Sequence, residues 1–185
     1  MIRIIGGSAK GVSLAAPQGM NTRPTLGRTR ESIFNVLANV GLLETKVLDI
    51  FAGTGALGLE AVSRGAEEAV LIDQATGRIL RENVRRCHAE GRARILQKDA
   101  ERALLSLKGE TFDYIFLDPP YRKGYVNEIL HTVIELGLPA EGAVIIAEHV
   151  SAEPLDFSML GDNVSLWKEK KCGETVVTYL LYKKF

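Results

Sequence analysis

The chain has 185 residues, enough for one domain with a real core, and its apolar content of 46% and charged content of 25% are ordinary for a globular protein. No apolar run reaches membrane-spanning length, and Cys87 and Cys172 form neither a C-x-x-C unit nor part of a metal site. Net charge is zero, which excludes an overall basic field, yet residues 1–30 hold Arg3, Lys10, Arg23, Arg28 and Arg30 without one acid, so that segment is +5 and the remainder −5.

"MIRIIGGSAKG" has neither the apolar stretch nor the small-residue cleavage pattern of a secretory leader. A reduced, cytoplasmic setting with two structural thiols is the expectation. "RIIGG" and "GVSLAA" read as short strands of a hairpin, and "PQGMNTRPTLG" as a loop. "TRESIFNVLANVG" places Ile33, Phe34, Leu37 and Val40 at helical spacing and ends near Gly41. A regular alternation follows. Strands are predicted at "KVLDIFA", "EAVLIDQ", "ARILQKD", "FDYIFLD" and "GAVIIAEHV", with helices at "GALGLEAVSRG", "ATGRILRENVRRCHAE", "AERALLSLKG" and "GYVNEILHTVIELG" between them. Such alternation implies a parallel sheet covered on both faces. "VSLWKEKKCGETVVTYLLYKK" holds two strands around Cys172–Gly173 with no helix between, a hairpin that puts one antiparallel strand into the sheet. The fold class is therefore α/β, Rossmann-like, with a mostly parallel seven-stranded sheet. Residues 1–28 form an N-terminal hairpin arm and residues 29–185 the main domain.

"VLDIFAGTGALGLEA" contains Gly53, Gly55 and Gly58 as G-x-G-x-x-G between a strand and a helix, with Asp73 about twenty residues on, at the end of the next strand. That context points to a nucleoside cofactor. A nicotinamide dinucleotide would bring a pyrophosphate to this loop, where Asp49 on the preceding strand repels it. S-adenosylmethionine brings a sulfonium and an ammonium, which Asp49 attracts. Asp73 suits ribose hydroxyls. Asp99 has two roles open to it: accepting from an adenine amino group, beside the backbone of Ala100, or capping the helix that begins "AERALLSL". The expected cofactor set is Asp49, Phe51, Ala52, Gly53, Thr54, Gly55, Gly58, Asp73, Gln74, Asp99 and Ala100, with Asp118 closing it. Asp49, Asp73, Asp99 and Asp118 all stand near carboxyl ends of strands, where open parallel sheets bind ligands.

"FLDPPYRKG" ends the fourth strand of this series. The lone pair of an exocyclic amine on a nucleobase is delocalised into the ring, so the amine is a poor nucleophile. A site helps by accepting its N–H bonds and aiming the lone pair. Asp118 offers a carboxylate and Pro119 a backbone carbonyl. Pro119 and Pro120 lack N–H groups and hold their predecessors extended. Tyr121 can stack on an extruded base. Arg122 and Lys123 suit phosphates beside it. Asp118, Pro119, Pro120 and Tyr121 are the expected catalytic set, and no metal is expected.

With "RIIGGSAKG…RPTLGRTRESIFNVL" upstream, "VLDIFAGTGALGLEAVSRGA" and "IFLDPPYRKG" resemble the RsmD-type methyltransferases across nearly the whole chain. The resemblance implies S-adenosylmethionine-dependent methylation of a guanine N2 in 16S ribosomal RNA of the small subunit, at guanine 966, with the N-terminal arm holding RNA. Arg3, Lys10, Arg23, Thr25, Arg28, Arg30, Arg122 and Lys123 are the expected RNA contacts. A monomer acting on an assembled or partly assembled subunit is expected, since the chain's modest basicity leaves contacts for the particle to supply. Val12 stands where the family commonly has a basic residue, and Asp73 where many members have Glu. The competing readings are methylation of another nucleic-acid amine, such as adenine N6 of DNA or RNA, and a ribosome-assembly factor without catalysis. A nicotinamide dehydrogenase leaves "DPPY" unexplained.

Overall fold

The computed structural model describes residues 1–20, 24–121 and 124–184. Continuous apolar runs become central strands because both faces of a parallel sheet are covered. In β3 (Lys46–Ile50) every residue after Lys46 is buried. The parallel series continues with β4 (Glu68–Ile72), β5 (Ala93–Leu96), β6 (Phe112–Leu117) and β7 (Pro139–Val150), and a hairpin of β8 (Val164–Cys172) and β9 (Thr175–Tyr182) completes it. The order across the sheet is β5-β4-β3-β6-β7-β9-β8. The last strand, β9, is inserted between β7 and β8 and runs antiparallel to both, as the missing crossover helix demanded. The expected seven strands with a C-terminal antiparallel member are present.

Alternation along each strand divides the core. Leu48, Ile50, Ile115, Leu117, Ile145 and Ala147 pack on one face with helices α4 (Ala100–Ser106) and α5 (Tyr125–Glu135). Val47, Tyr114, Phe116, Val144 and Ile146 pack on the other with α1 (Pro24–Leu37), α2 (Ala56–Ser63) and α3 (Gly77–Arg86). Phe34 lies in that second core against Phe116, ring centroids 5.8 Å apart. Cys87 is buried and Cys172 is exposed at the hairpin turn, so only the first thiol is part of the core.

The N-terminal region is bound closely to the rest of the chain. Helix α1 begins at Pro24, inside the stretch read as loop, and runs through the expected division between residues 28 and 29. Proline suits a first helical turn, where its missing N–H has no partner to lose. The hairpin of β1 (Ile2–Arg3) and β2 (Ser13–Leu14) is tied down by side chains of α2 and α3. The fully buried Glu60 of α2 accepts from Ile5 N at 2.9 Å, Gly6 N at 2.8 Å and Arg64 Nε at 2.9 Å. Ser63 Oγ accepts from Ala9 N at 2.9 Å and donates to Gly6 O at 2.6 Å. Asn83 of α3 accepts from Ala15 N and donates to Ala15 O and Thr54 O. Gly7 makes this approach feasible: a Cβ there would lie 1.8 Å from Ser63 O, and its φ is +78°.

Candidate active site

The strand order brings the acid-bearing strand ends together. Asp49 pairs with Phe116 across β3 and β6, and Leu117 pairs with Ala147 across β6 and β7. Asp118 and Glu148 are the next residues along the chain. Alternation puts Asp49, Asp118 and Glu148 on the face that carries Phe116 and Ile146, beneath α1. All three line one cavity of about 430 Å³ with Phe51, Gly53 and Thr54 of the glycine loop and Thr29, Arg30 and Ile33 of α1.

The loop is shaped to present this cavity. Gly58 N donates to Asp49 Oδ2 at 2.9 Å, and a Cβ on Gly58 would lie 2.3 Å from Leu71 Cδ2, so the third glycine lets α2 seat against the sheet. Gly53 N donates to Asp73 Oδ2 at 3.0 Å, while Asp73 Oδ1 accepts from Ala75 N at 2.9 Å and Thr76 N at 3.0 Å. Asp73 thus ties the loop to the start of α3 and keeps part of its acceptor capacity for hydroxyls. Phe51 has φ +62°, a conformation rare for a bulky residue, and marks strain at the site.

A second cavity of about 310 Å³ lies beyond Phe51, lined by Ile72, Asp73, Gln74, Asp99, Ala100, Pro120 and Tyr125 as well. Phe51 borders both cavities and stacks edge-on against Tyr125 at 5.4 Å. Asp99 caps α4, accepting from Arg102 N at 3.1 Å, and also lines this cavity, so its two expected roles are compatible. Ala52, Thr54 and Gly55 complete the turn between β3 and α2: Ala52 N donates to Ile72 O, and Gly55 N donates to Ala52 O.

The electrostatics set these carboxyls apart from surface acids. Burial pushes Asp49 from 3.8 up to about 7; the Gly58 N–H counteracts this and the neighbouring Asp73 adds to it. Burial, then Glu148, then Asp49 hold Asp118 well above the usual carboxylate range. Burial raises Glu148 as well. A cationic ligand relieves this by favouring the ionised forms. The donor set therefore fits S-adenosylmethionine: Asp49 and the loop for its charged end, and Asp73, Gln74, Asp99 and Ala100 for its nucleoside.

Pro119 is buried, Pro120 is exposed and borders the second cavity, and Tyr121 is 62% exposed. Glu148 is the site residue that sequence reading missed. Its signal was an acid inside the otherwise apolar "AVIIAEH" run, without any way to tell which strand it would face. Among the expected RNA contacts, Arg3, Lys10 and Arg28 are exposed. Arg30 is not: it is 9% exposed, its Nε lies 3.9 Å from Glu60 Oε2, and its guanidinium donates to Arg3 O. It bridges the hairpin and α2 and also borders the cavity beneath α1, so it is far less open to solvent than Arg3, Lys10 and Arg28. Thr25 lies in the first turn of α1, with its side chain outside the described residues, as are Arg23, Arg122 and Lys123 altogether. Among the described residues no group of three or more His, Cys, Asp or Glu could hold a metal ion, and no helix is long and apolar enough to cross a membrane.

Residues 2–181 match the family described as Conserved hypothetical protein 95. The chain is 40% identical over 185 residues to Ribosomal RNA small subunit methyltransferase D of Escherichia coli, covering 99% of this chain and 90% of that one. The chain belongs to this family. Its methyltransferase D member from Haemophilus influenzae is 31% identical over 186 residues, covering 98% and 93%. A solved Escherichia coli structure, described as a proposed methyltransferase, superposes with a TM-score of 0.87 at 38% identity and covers 98% of both chains. As a member of the methyltransferase D family the chain is an S-adenosylmethionine-dependent enzyme of ribosomal RNA.

Proposed function

We propose that this enzyme methylates the exocyclic N2 amine of a guanine in 16S RNA of the small ribosomal subunit, guanine 966 in the numbering of that RNA. The observation that carries the reading is Asp118. Its carboxyl stands beyond β6 in the same cavity as Asp49, with no hydrogen bond to any described residue, next to two prolines that offer no N–H. When bound, S-adenosylmethionine supplies an electrophilic methyl group. Asp49 and the glycine loop hold its charged end. Asp118 accepts one N–H of the amine and the Pro119 carbonyl the other, which aims the nitrogen lone pair. The nitrogen turns strongly acidic as it gains the methyl group, so no strong base is needed, and Asp118 takes the proton or passes it to water. Tyr121, exposed at the rim, stacks on the base.

The exposed Arg3, Lys10 and Arg28 meet RNA phosphates. With zero net charge, the chain is matched to an assembled or partly assembled particle rather than to naked RNA. One chain lines both cavities, so a monomer suffices. The test is single-turnover transfer of labelled methyl groups to small-subunit particles from cells lacking the protein, followed by mass mapping of the RNA. Asp118→Ala is expected to abolish transfer while binding of the methyl donor persists. Transfer at an unchanged rate would overturn the assignment.

A further inference from the structure

The buried and half-buried carboxyls around the glycine loop and the hairpin fall into two groups. Glu60, Asp49 and Asp73 each accept at least one backbone amide. Asp118 and Glu148 accept nothing from the described residues, although Glu148 is only 9% exposed. A buried charge without a partner is costly and is kept where a ligand completes it. The two stand side by side. Leu117 and Ala147 are register partners on parallel strands, so the residues that follow them project from one sheet face at neighbouring positions, roughly 5 Å apart in strand spacing. The end of β7 is also held firmly. His149, 4% exposed, bonds Thr178 Oγ1 through Nε2 at 2.8 Å and Glu153 O through Nδ1 at 3.0 Å. Glu148 is thereby presented on a fixed backbone.

We propose that Glu148 selects guanine by accepting the ring N1–H while Asp118 engages the adjacent N2 amine. This rests on the reading of the site as an amine methyltransferase and adds the residue that chooses the base. Guanine offers two neighbouring donors on its Watson–Crick edge, and the paired strand ends offer two neighbouring acceptors. Adenine also carries an exocyclic amine, but its N1 is a lone pair, which an ionised Glu148 repels. The mutual repulsion of Glu148 and Asp118 is relieved when each receives a donor.

The probe is 2-aminopurine placed at the target position of reconstituted small-subunit particles. It keeps the N2 amine and lacks the N1 hydrogen. Single-turnover rates on guanine and 2-aminopurine are compared at one mildly alkaline pH, where guanine keeps its N1 hydrogen, for the unaltered enzyme and for Glu148→Gln. The unaltered enzyme is expected to favour guanine by about a hundredfold or more, since a site built around a donor rejects the analogue lacking it. The amide introduced by Glu148→Gln can donate to N1 as well as accept from it, so the variant's preference is expected to fall by about tenfold or more. A merely structural Glu148 would lower both rates and leave their ratio alone, and an unchanged ratio overturns the proposal. If Glu148→Gln does not fold, equal rates of the unaltered enzyme on the two bases overturn it instead. Absence of transfer to guanine by the unaltered enzyme would be a different failure, that of the proposed function itself.

Discussion

Asp49→Asn is expected to stabilise the protein while impairing it. Asp49 is 2% exposed, and its pKa rises from 3.8 to about 7 on folding, chiefly through burial. At about 1.36 kcal/mol per pH unit, the ionised form is destabilised by about 4 kcal/mol at pH above 7. The sign follows from proton binding. Between about pH 4 and 7 the folded chain holds a proton on Asp49 that the unfolded chain has lost, so this group's contribution is complete below pH 3.8 and disappears as pH rises through 7. Asparagine is neutral throughout and keeps an oxygen for Gly58 N. The variant should therefore gain up to about 4 kcal/mol over the unaltered enzyme at about pH 8.5 and almost nothing at about pH 4. Urea unfolding of both proteins across this range measures the difference. Calorimetry in parallel should show S-adenosylmethionine affinity reduced by about tenfold or more in the variant, because the cation loses its counter-charge. It should also show affinity in the unaltered enzyme rising with pH through about 7 as Asp49 ionises. A stability difference that does not change with pH, or a variant less stable in alkaline buffer, would refute the reasoning.

Three further outcomes are expected, beside one for the buried acid of α2. Neutralising Arg3, Lys10 and Arg28 together should weaken association with the subunit particle, with the loss shrinking at high salt, and leave cofactor affinity unchanged; filter binding across a salt series checks this. Arg30→Gln, by contrast, should lower thermal stability, because its partner Glu60 is fully buried; a melting scan reads this. Tyr121→Ala should cost about 1–3 kcal/mol of RNA stacking, seen as slower single-turnover transfer, while Tyr121→Phe retains most activity; equal losses in the two variants would make the hydroxyl the working group. Glu60→Ala should destabilise by about 3–5 kcal/mol in urea unfolding, since it leaves Ile5 N, Gly6 N and Arg64 Nε without their shared acceptor and Arg30 without its counter-charge.

Much of this protein was legible locally. Strand-and-helix alternation, the glycine loop and "DPPY" each occupy a few consecutive residues whose backbone demands and chemistry are local. The strand ends and the loop that carry Asp49, Gly58, Asp73 and Asp118 could accordingly be drawn from the sequence, and the strands and helices around them stand where their patterns put them. Asp99 was left between two roles by its sequence: it caps α4, which is a local matter, and it also lines a cavity that only the folded sheet creates.

What only the tertiary structure decided concerns partners far apart in the chain. Arg30 looked like one more cation of a basic arm, and it is buried because Glu60, thirty residues on, comes to meet it. The hairpin was read only as an arm, because nothing in "RIIGGSAKG" or "GVSLAA" announces that Glu60, Ser63 and Asn83 will satisfy its amides. Glu148, an acid in an otherwise apolar strand, was not singled out by the sequence. It became a candidate base-reading group only when β7 paired with β6 in a register that set it beside Asp118. Periodicity in a sequence reports which residues avoid water. It carries no information on which strand lies alongside or at what level, because long-range pairing settles both.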